Sequence, residues 1–146
     1  MIIIDKSVEI LLVEDNEGDI GLIEEVFEEA KIRNTLHIAE DGEEAILFLR
    51  GEGKFSGSPR PDIILLDLNL PKKDGREVLR EIKKDNNLKN IPVVVLTTSG
   101  AENDILRSYD LHANAYVTKP LDFDQLIKVV KFIENFWLEV VKLPMK

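Results

Sequence analysis

The chain has 146 residues, the span of about one domain, and its 44% hydrophobic and 32% charged residues are the balance of an ordinary soluble globule. The absence of cysteine excludes a disulfide framework, a thiolate metal site and a cysteine nucleophile. Nineteen basic against 28 acidic residues give a net charge of -9, a field that repels phosphate backbones and anionic lipid, so neither nucleic-acid nor membrane binding is expected.

The apolar opening at residues 1–4 is stopped by Asp5 and Lys6, too early for a signal sequence or a membrane span. Cytoplasmic residence is expected. Five short apolar runs follow, at 8–13, 35–39, 63–66, 92–96 and 115–117, each leading into a helical stretch. After the first, Ile20, Ile23, Phe27 and Ala30 fall on one helix face, with Glu24, Glu25, Glu28 and Glu29 facing water. After the second, Asp41 stands three residues before Glu44, capping-box spacing ahead of Ala45, Ile46 and Leu49. The glycine-, proline- and serine-rich stretch 51–61 reads as a surface loop.

Val78, Leu79 and Ile82 predict a short helix from Gly75 to about Asp85 after the third run, and Ile105, Leu106 and Tyr109 predict another after the fourth. After the fifth, Asp122 and Gln125 have capping-box spacing before a long stretch through Phe123, Leu126, Ile127, Val130, Ile133 and Trp137. Runs such as 63–66 and 93–96 do not alternate with polar residues, so both of their faces should be covered by helices. The expectation is an α/β fold, a doubly wound parallel sheet with its chemistry in the loops beyond the carboxyl ends of the strands.

Those ends deliver Glu14 and Asp15, Asp67, Thr97 and Lys119. Singly, each has a bland explanation as a cap, a turn residue or a solvated charge. Together, three carboxylates near one point repel unless something cationic lies among them, and Lys119 alone leaves a formal excess of two negative charges. Hard oxygen ligands without His or Cys select magnesium or manganese. Asp67, ending an apolar run, is the natural nucleophile for an acyl phosphate, with Lys119 neutralising charge and Thr97 offering a hydroxyl. No P-loop is present, so the phosphoryl donor is not expected to be bound ATP.

In this order and spacing, the motifs Leu11-Leu12-Val13-Glu14-Asp15-Asn16, Leu65-Leu66-Asp67-Leu68-Asn69-Leu70-Pro71 with Asp74-Gly75, Val95-Leu96-Thr97-Thr98-Ser99 and Ala115-Tyr116-Val117-Thr118-Lys119-Pro120 resemble the receiver domains of two-component response regulators. The loop insertion and long last helix are similar to the small regulators that partner phytochrome-type sensor kinases. The resemblance implies a flavodoxin-like (βα)5 fold of strand order 2-1-3-4-5 and phosphorylation of Asp67 by a sensor histidine kinase. It also implies Mg2+ (or Mn2+) held by Glu14, Asp15, Asp67 and the main-chain carbonyl of Asn69. Thr97 and Lys119 would engage the phosphoryl group, Tyr116 would reorient with it, and the Lys119-Pro120 bond would be cis. Thr98 departs from the smaller residue common after the hydroxyl position. Such a protein catalyses only its own phosphorylation and dephosphorylation, and signals through protein contacts.

One receiver domain is expected over residues 1–146, with its core at about 8–134, the last helix extended to about 141 and no output domain appended. His37 and His112 have no carboxylate partner implied by spacing, and Lys72 and Lys73 read as solvated. On the last helix Val129, Phe132, Phe136 and Val140 form a second apolar stripe beside Leu126, Val130, Ile133 and Trp137; unless residues 143–145 fold back over it, this predicts a homodimer. Two competing readings use the same residues. A haloacid dehalogenase-type phosphatase needs a second Asp two positions after the nucleophile, where Asn69 stands. A phosphorylation-independent adaptor has no need of the carboxylate set.

Overall fold

The computed structural model describes residues 7–98, 113 and 115–142, with the side chains of the last helix as far as residue 135. The elements are β1 (Val8–Val13), α1 (Glu17–Glu28), β2 (Asn34–Ala39), α2 (Gly42–Arg50), a 3-10 turn (Gly53–Phe55), β3 (Ile63–Asp67), α3 (Gly75–Lys84), β4 (Val93–Thr97), β5 (Ala115–Thr118) and α4 (Phe123–Lys142). The helix expected from Ile105, Leu106 and Tyr109 falls outside the described residues, as does His112.

The strands form one parallel sheet in the order β2-β1-β3-β4-β5, the doubly wound arrangement expected. The two-residue period of a strand sends alternate side chains to opposite faces, and both faces are dry. Leu11, Val13, Ile64, Leu66, Val93 and Val95 pack with Ala45 and Phe48 of α2 and with Val78, Leu79 and Ile82 of α3. Ile10, Leu12, Ile63, Leu65, Val94 and Leu96 pack with Ile23 and Phe27 of α1 and with Leu126, Val130 and Ile133 of α4. Every residue of β3 and β4 is buried, which is why their sequences are apolar up to the terminal Asp67 and Thr97.

Helix starts are fixed by side chains. Asn16 and Asp41 cap α1 and α2 through Asp19 N–H and Glu44 N–H, each at 2.8 Å. At α4 the box is reciprocal: Gln125 N–H donates to Asp122 Oδ1 at 2.8 Å, and Asp122 N–H to Gln125 Oε1 at 3.0 Å. The loop at 51–61 carries a short turn whose Phe55 stacks edge-on against Phe48 at 5.4 Å, so the insertion is pinned to the core.

The structure corrects several expectations. Val129 is only 6% exposed and belongs to the α1–α4 core, not to a second outward stripe, while Phe132 is half-buried against that core. Phe136, Trp137 and Val140 lie beyond the described side chains. His37 does have a carboxylate partner: Glu9 on the neighbouring strand lies 2.6 Å from Nε2. Lys73 is partly buried and paired with Glu81, whereas Lys72 is solvated as expected, its side chain 63% exposed with Asp41 3.6 Å away.

Candidate functional site

Parallel strands in register end together. Val13 pairs with both Ala39 and Leu66, Asp67 with Leu96, and Thr97 with Thr118, so the residues that follow or close β1, β3, β4 and β5 meet at one edge of the sheet. There the structure brings together Glu14, Asp15, Asp67 and Lys119, with oxygens of the three carboxylates within 4.8 Å of one another. Thr97 is fully buried at the end of β4, and its carbonyl accepts the Lys119 N–H at 2.6 Å, which ties the lysine backbone to that strand. The Lys119-Pro120 bond is cis.

Asp67 is almost fully buried. Its Oδ1 accepts the Asn69 N–H at 3.0 Å and its Oδ2 accepts from Lys119 Nζ at 3.2 Å. Gly75 makes this turn possible: a Cβ there would stand 2.3 Å from the Asp67 carbonyl oxygen. Glu14 is fully buried, with Oε2 accepting from Asn16 N–H at 3.2 Å and from Lys119 Nζ at 3.1 Å. Its Oε1 receives no hydrogen bond, although Lys119 Nζ lies 2.9 Å away. Burial pushes the Glu14 carboxyl up to about 7, with the Asp67 charge adding and Lys119 opposing. Burial works against the Lys119 ammonium, but hydrogen bonds to Glu14 and Asp19 and the charge of Asp67 outweigh it and hold the lysine above its ordinary range.

A buried carboxylate oxygen without a donor, inside a cluster of three acids, is what a divalent cation fits. All the side-chain donors are hard oxygens, suited to magnesium or manganese. Asn69, whose main-chain carbonyl was expected to join them, is held beside Asp67 by its own N–H, while its side-chain Nδ2 donates to Thr98 Oγ1 at 3.3 Å across the two loops. An amide neither gains nor loses a proton near neutral pH, so the phosphatase alternative lacks its second catalytic group. Tyr116 is half-buried against the α2–α3 core. Sequence reasoning missed Asp19, whose Oδ2 lies 3.0 Å from Lys119 Nζ; its only sequence signal is an acid in the first turn of α1.

Strands in this order with an acidic pocket and a lysine at their carboxyl edge define a phosphorylation-controlled signalling domain. The chain belongs to the response regulator receiver domain family, which matches residues 10–131. It is 56% identical over 135 residues to the response regulator Rcp1 of Synechocystis sp., covering 92% of each chain. It is 45% identical over 130 residues to the probable methanogenesis regulatory protein FilR2 of Methanothrix harundinacea, covering 88% of this chain and 83% of the relative. Among solved structures it resembles the phosphorylated cyanobacterial phytochrome response regulator RcpA, at 54% identity and a TM-score of 0.79 over 93% of this chain and 97% of that one. The family's activity is phosphorylation-based signalling, its members are substrates of histidine kinases, and they bind a divalent metal; neither alternative reading is favoured. Among the described residues, no helix is long and apolar enough to cross a membrane.

Proposed function

We propose that this chain is a cytoplasmic response regulator that takes a phosphoryl group from the phosphohistidine of a phytochrome-class sensor kinase onto Asp67. The observation that carries the reading is the buried Asp67 carboxylate, held by Asn69 N–H and Lys119 Nζ within a pocket of further acids. Two relatives support the details by their descriptions: one is a phosphorylated phytochrome response regulator and another a Mn(2+)-bound Rcp1. Glu14, Asp15, Asp67 and the Asn69 carbonyl would hold Mg2+, which when bound offsets negative charge on the pocket and on the incoming group.

An Asp67 oxygen attacks phosphorus, the P–N bond breaks, and the imidazole nitrogen keeps the electron pair. Lys119 neutralises charge beside the new acyl phosphate. The Thr97 hydroxyl and Tyr116 carry the change to the surface, a population shift that a partner protein reads. With a net charge of -9 the output runs through protein contacts and not through nucleic acid or lipid. A homodimer is part of this reading: a groove of about 380 Å3 between the edge strand β5 and α4, lined in part by Val117, Lys128 and Phe132, suits a second copy. Light scattering tests it, and a monomer at micromolar concentration with beryllofluoride would remove the dimer from the reading.

Labelling with radioactive phosphoramidate in magnesium tests the acceptor. The parent should form an acid-stable, base-labile acyl phosphate and Asp67→Asn should form none. Equal labelling of the two would overturn Asp67, and absence of labelling in the parent would favour the adaptor.

A further inference from the structure

The ammonium of Lys119 has three N–H donors and three carboxylate neighbours: it donates to Glu14 Oε2 at 3.1 Å and Asp67 Oδ2 at 3.2 Å, and it pairs with Asp19 Oδ2 at 3.0 Å and with the other Glu14 oxygen at 2.9 Å. The lysine side chain is only 12% exposed, so it has little recourse to water. Two of its three partners are contested. Under the reading above, Glu14 and Asp67 are the carboxylates a divalent cation takes, and Asp67 is also where the phosphoryl group is attached. Asp19 belongs to neither set.

The backbone explains why Asp19 is available. As third residue of α1, Asp19 stands at the position from which the Glu or Gln of a capping box reaches back to the N–H of the cap residue. Here that N–H, on Asn16, donates instead to Glu14 Oε2 at 3.2 Å, while Asp19 contributes its own N–H to Asn16 Oδ1. With the cap N–H taken, the Asp19 carboxylate pairs instead with Lys119, which follows β5 at the same carboxyl edge of the sheet. We propose that Asp19 is a positioning residue that keeps Lys119 Nζ at the acceptor while Glu14 and Asp67 are taken up by metal and phosphoryl group. Without it, a long side chain stripped of two partners regains its rotamer freedom just when its charge is required. The inference rests on the proposed acceptor site but makes a separate claim about one side chain.

An acid in the first turn of a helix also stabilises that helix through its dipole, and the test must tell this from an action on Lys119. Asn is isosteric at position 19 and retains the N–H to Asn16, so Asp19→Asn keeps the cap. The readout is the 15N–H signal of the Lys119 ammonium, identified by its loss in Lys119→Met, recorded without metal and with saturating magnesium. The parent should keep the signal in both conditions, and Asp19→Asn should lose it when magnesium is added. Phosphoramidate labelling of Asp19→Asn should be about fivefold slower, the scale of one partly exposed ion pair. A signal that persists in magnesium-loaded Asp19→Asn, a parent that loses it on adding magnesium, or a parental labelling rate in the variant would overturn the proposal. A parent that is never labelled would instead overturn the acceptor reading, since the magnesium comparison needs no phosphoryl transfer.

Discussion

At the scale of single residues, the pocket is costly for the fold that carries it. Glu14 is fully buried, and burial raises its carboxyl from 4.5 to about 7. The folded state therefore holds a proton at a pH where the unfolded chain has already lost it, and stability falls as pH rises from about 4.5 through about 7. Glu14→Gln, of the same shape, removes that slope. In chelator, urea melts at pH 5 and pH 8 should show the parent losing on the order of 2 kcal/mol relative to Glu14→Gln across this interval. Parallel pH profiles for the two proteins would contradict the assignment of Glu14 as the strained group. The five residues at strand ends were legible because the parallel register of a βα alternation sends them all to one edge. Asp19 was not, since its contact with Lys119 joins residues 100 positions apart and an acid in the first turn of a helix reads as a cap or dipole partner. The His37–Glu9 pair was also hidden, because diagonal neighbours on adjacent strands follow from register and not from spacing along the chain.

At the scale of elements, the connections to α2 and α3 are built around two close backbone approaches. A Cβ on Gly42 would stand 2.0 Å from the Lys73 carbonyl oxygen, and one on Gly75 would stand 2.3 Å from that of Asp67. Both obstacles are backbone, so the loop from β3 to α3 must move to admit a methyl group. Each Gly→Ala substitution should destabilise by about 1–3 kcal/mol, the cost of overpacking. Their functional effects should differ. Gly75→Ala pushes on the residue that bears the candidate acceptor, and its labelling by phosphoramidate should fall; Gly42→Ala touches only the far arm of the loop and should be labelled nearly as the parent is. Equal loss of labelling in both, at matched folded fraction, would show that the loop moves as one body. Strands and caps were readable at this scale because their signals are local: unbroken apolar runs for β3 and β4, and the Asp122–Gln125 spacing for α4. The face of α4 was read too narrowly. A helix lying on a sheet buries a stripe wide enough for positions i, i+3, i+4 and i+7, which here are Leu126, Val129, Val130 and Ile133.

At the scale of the whole molecule, an acidic chain of net charge -9 gathers three of its 28 acidic residues into one pocket, so the fold and its cation should be thermodynamically linked. A cation that binds only the folded state stabilises it by about 1.4 kcal/mol for each tenfold rise in concentration above its dissociation constant. For a domain of this size that is roughly 3–5 °C in melting temperature per decade of magnesium. Asp15 is the exposed member of the cluster and takes no part in holding Lys119, so Asp15→Asn changes the cation site while leaving the lysine network in place. In chelator the variant should be at least as stable as the parent, because one of the mutually repelling charges is gone. In magnesium the order should reverse, with the parent's melting temperature climbing and the variant's staying flat. Sodium chloride at matched ionic strength controls for general screening of the acidic surface, which acts on both proteins alike. A variant whose melting temperature climbs with magnesium in step with the parent would remove Asp15 from the cation site.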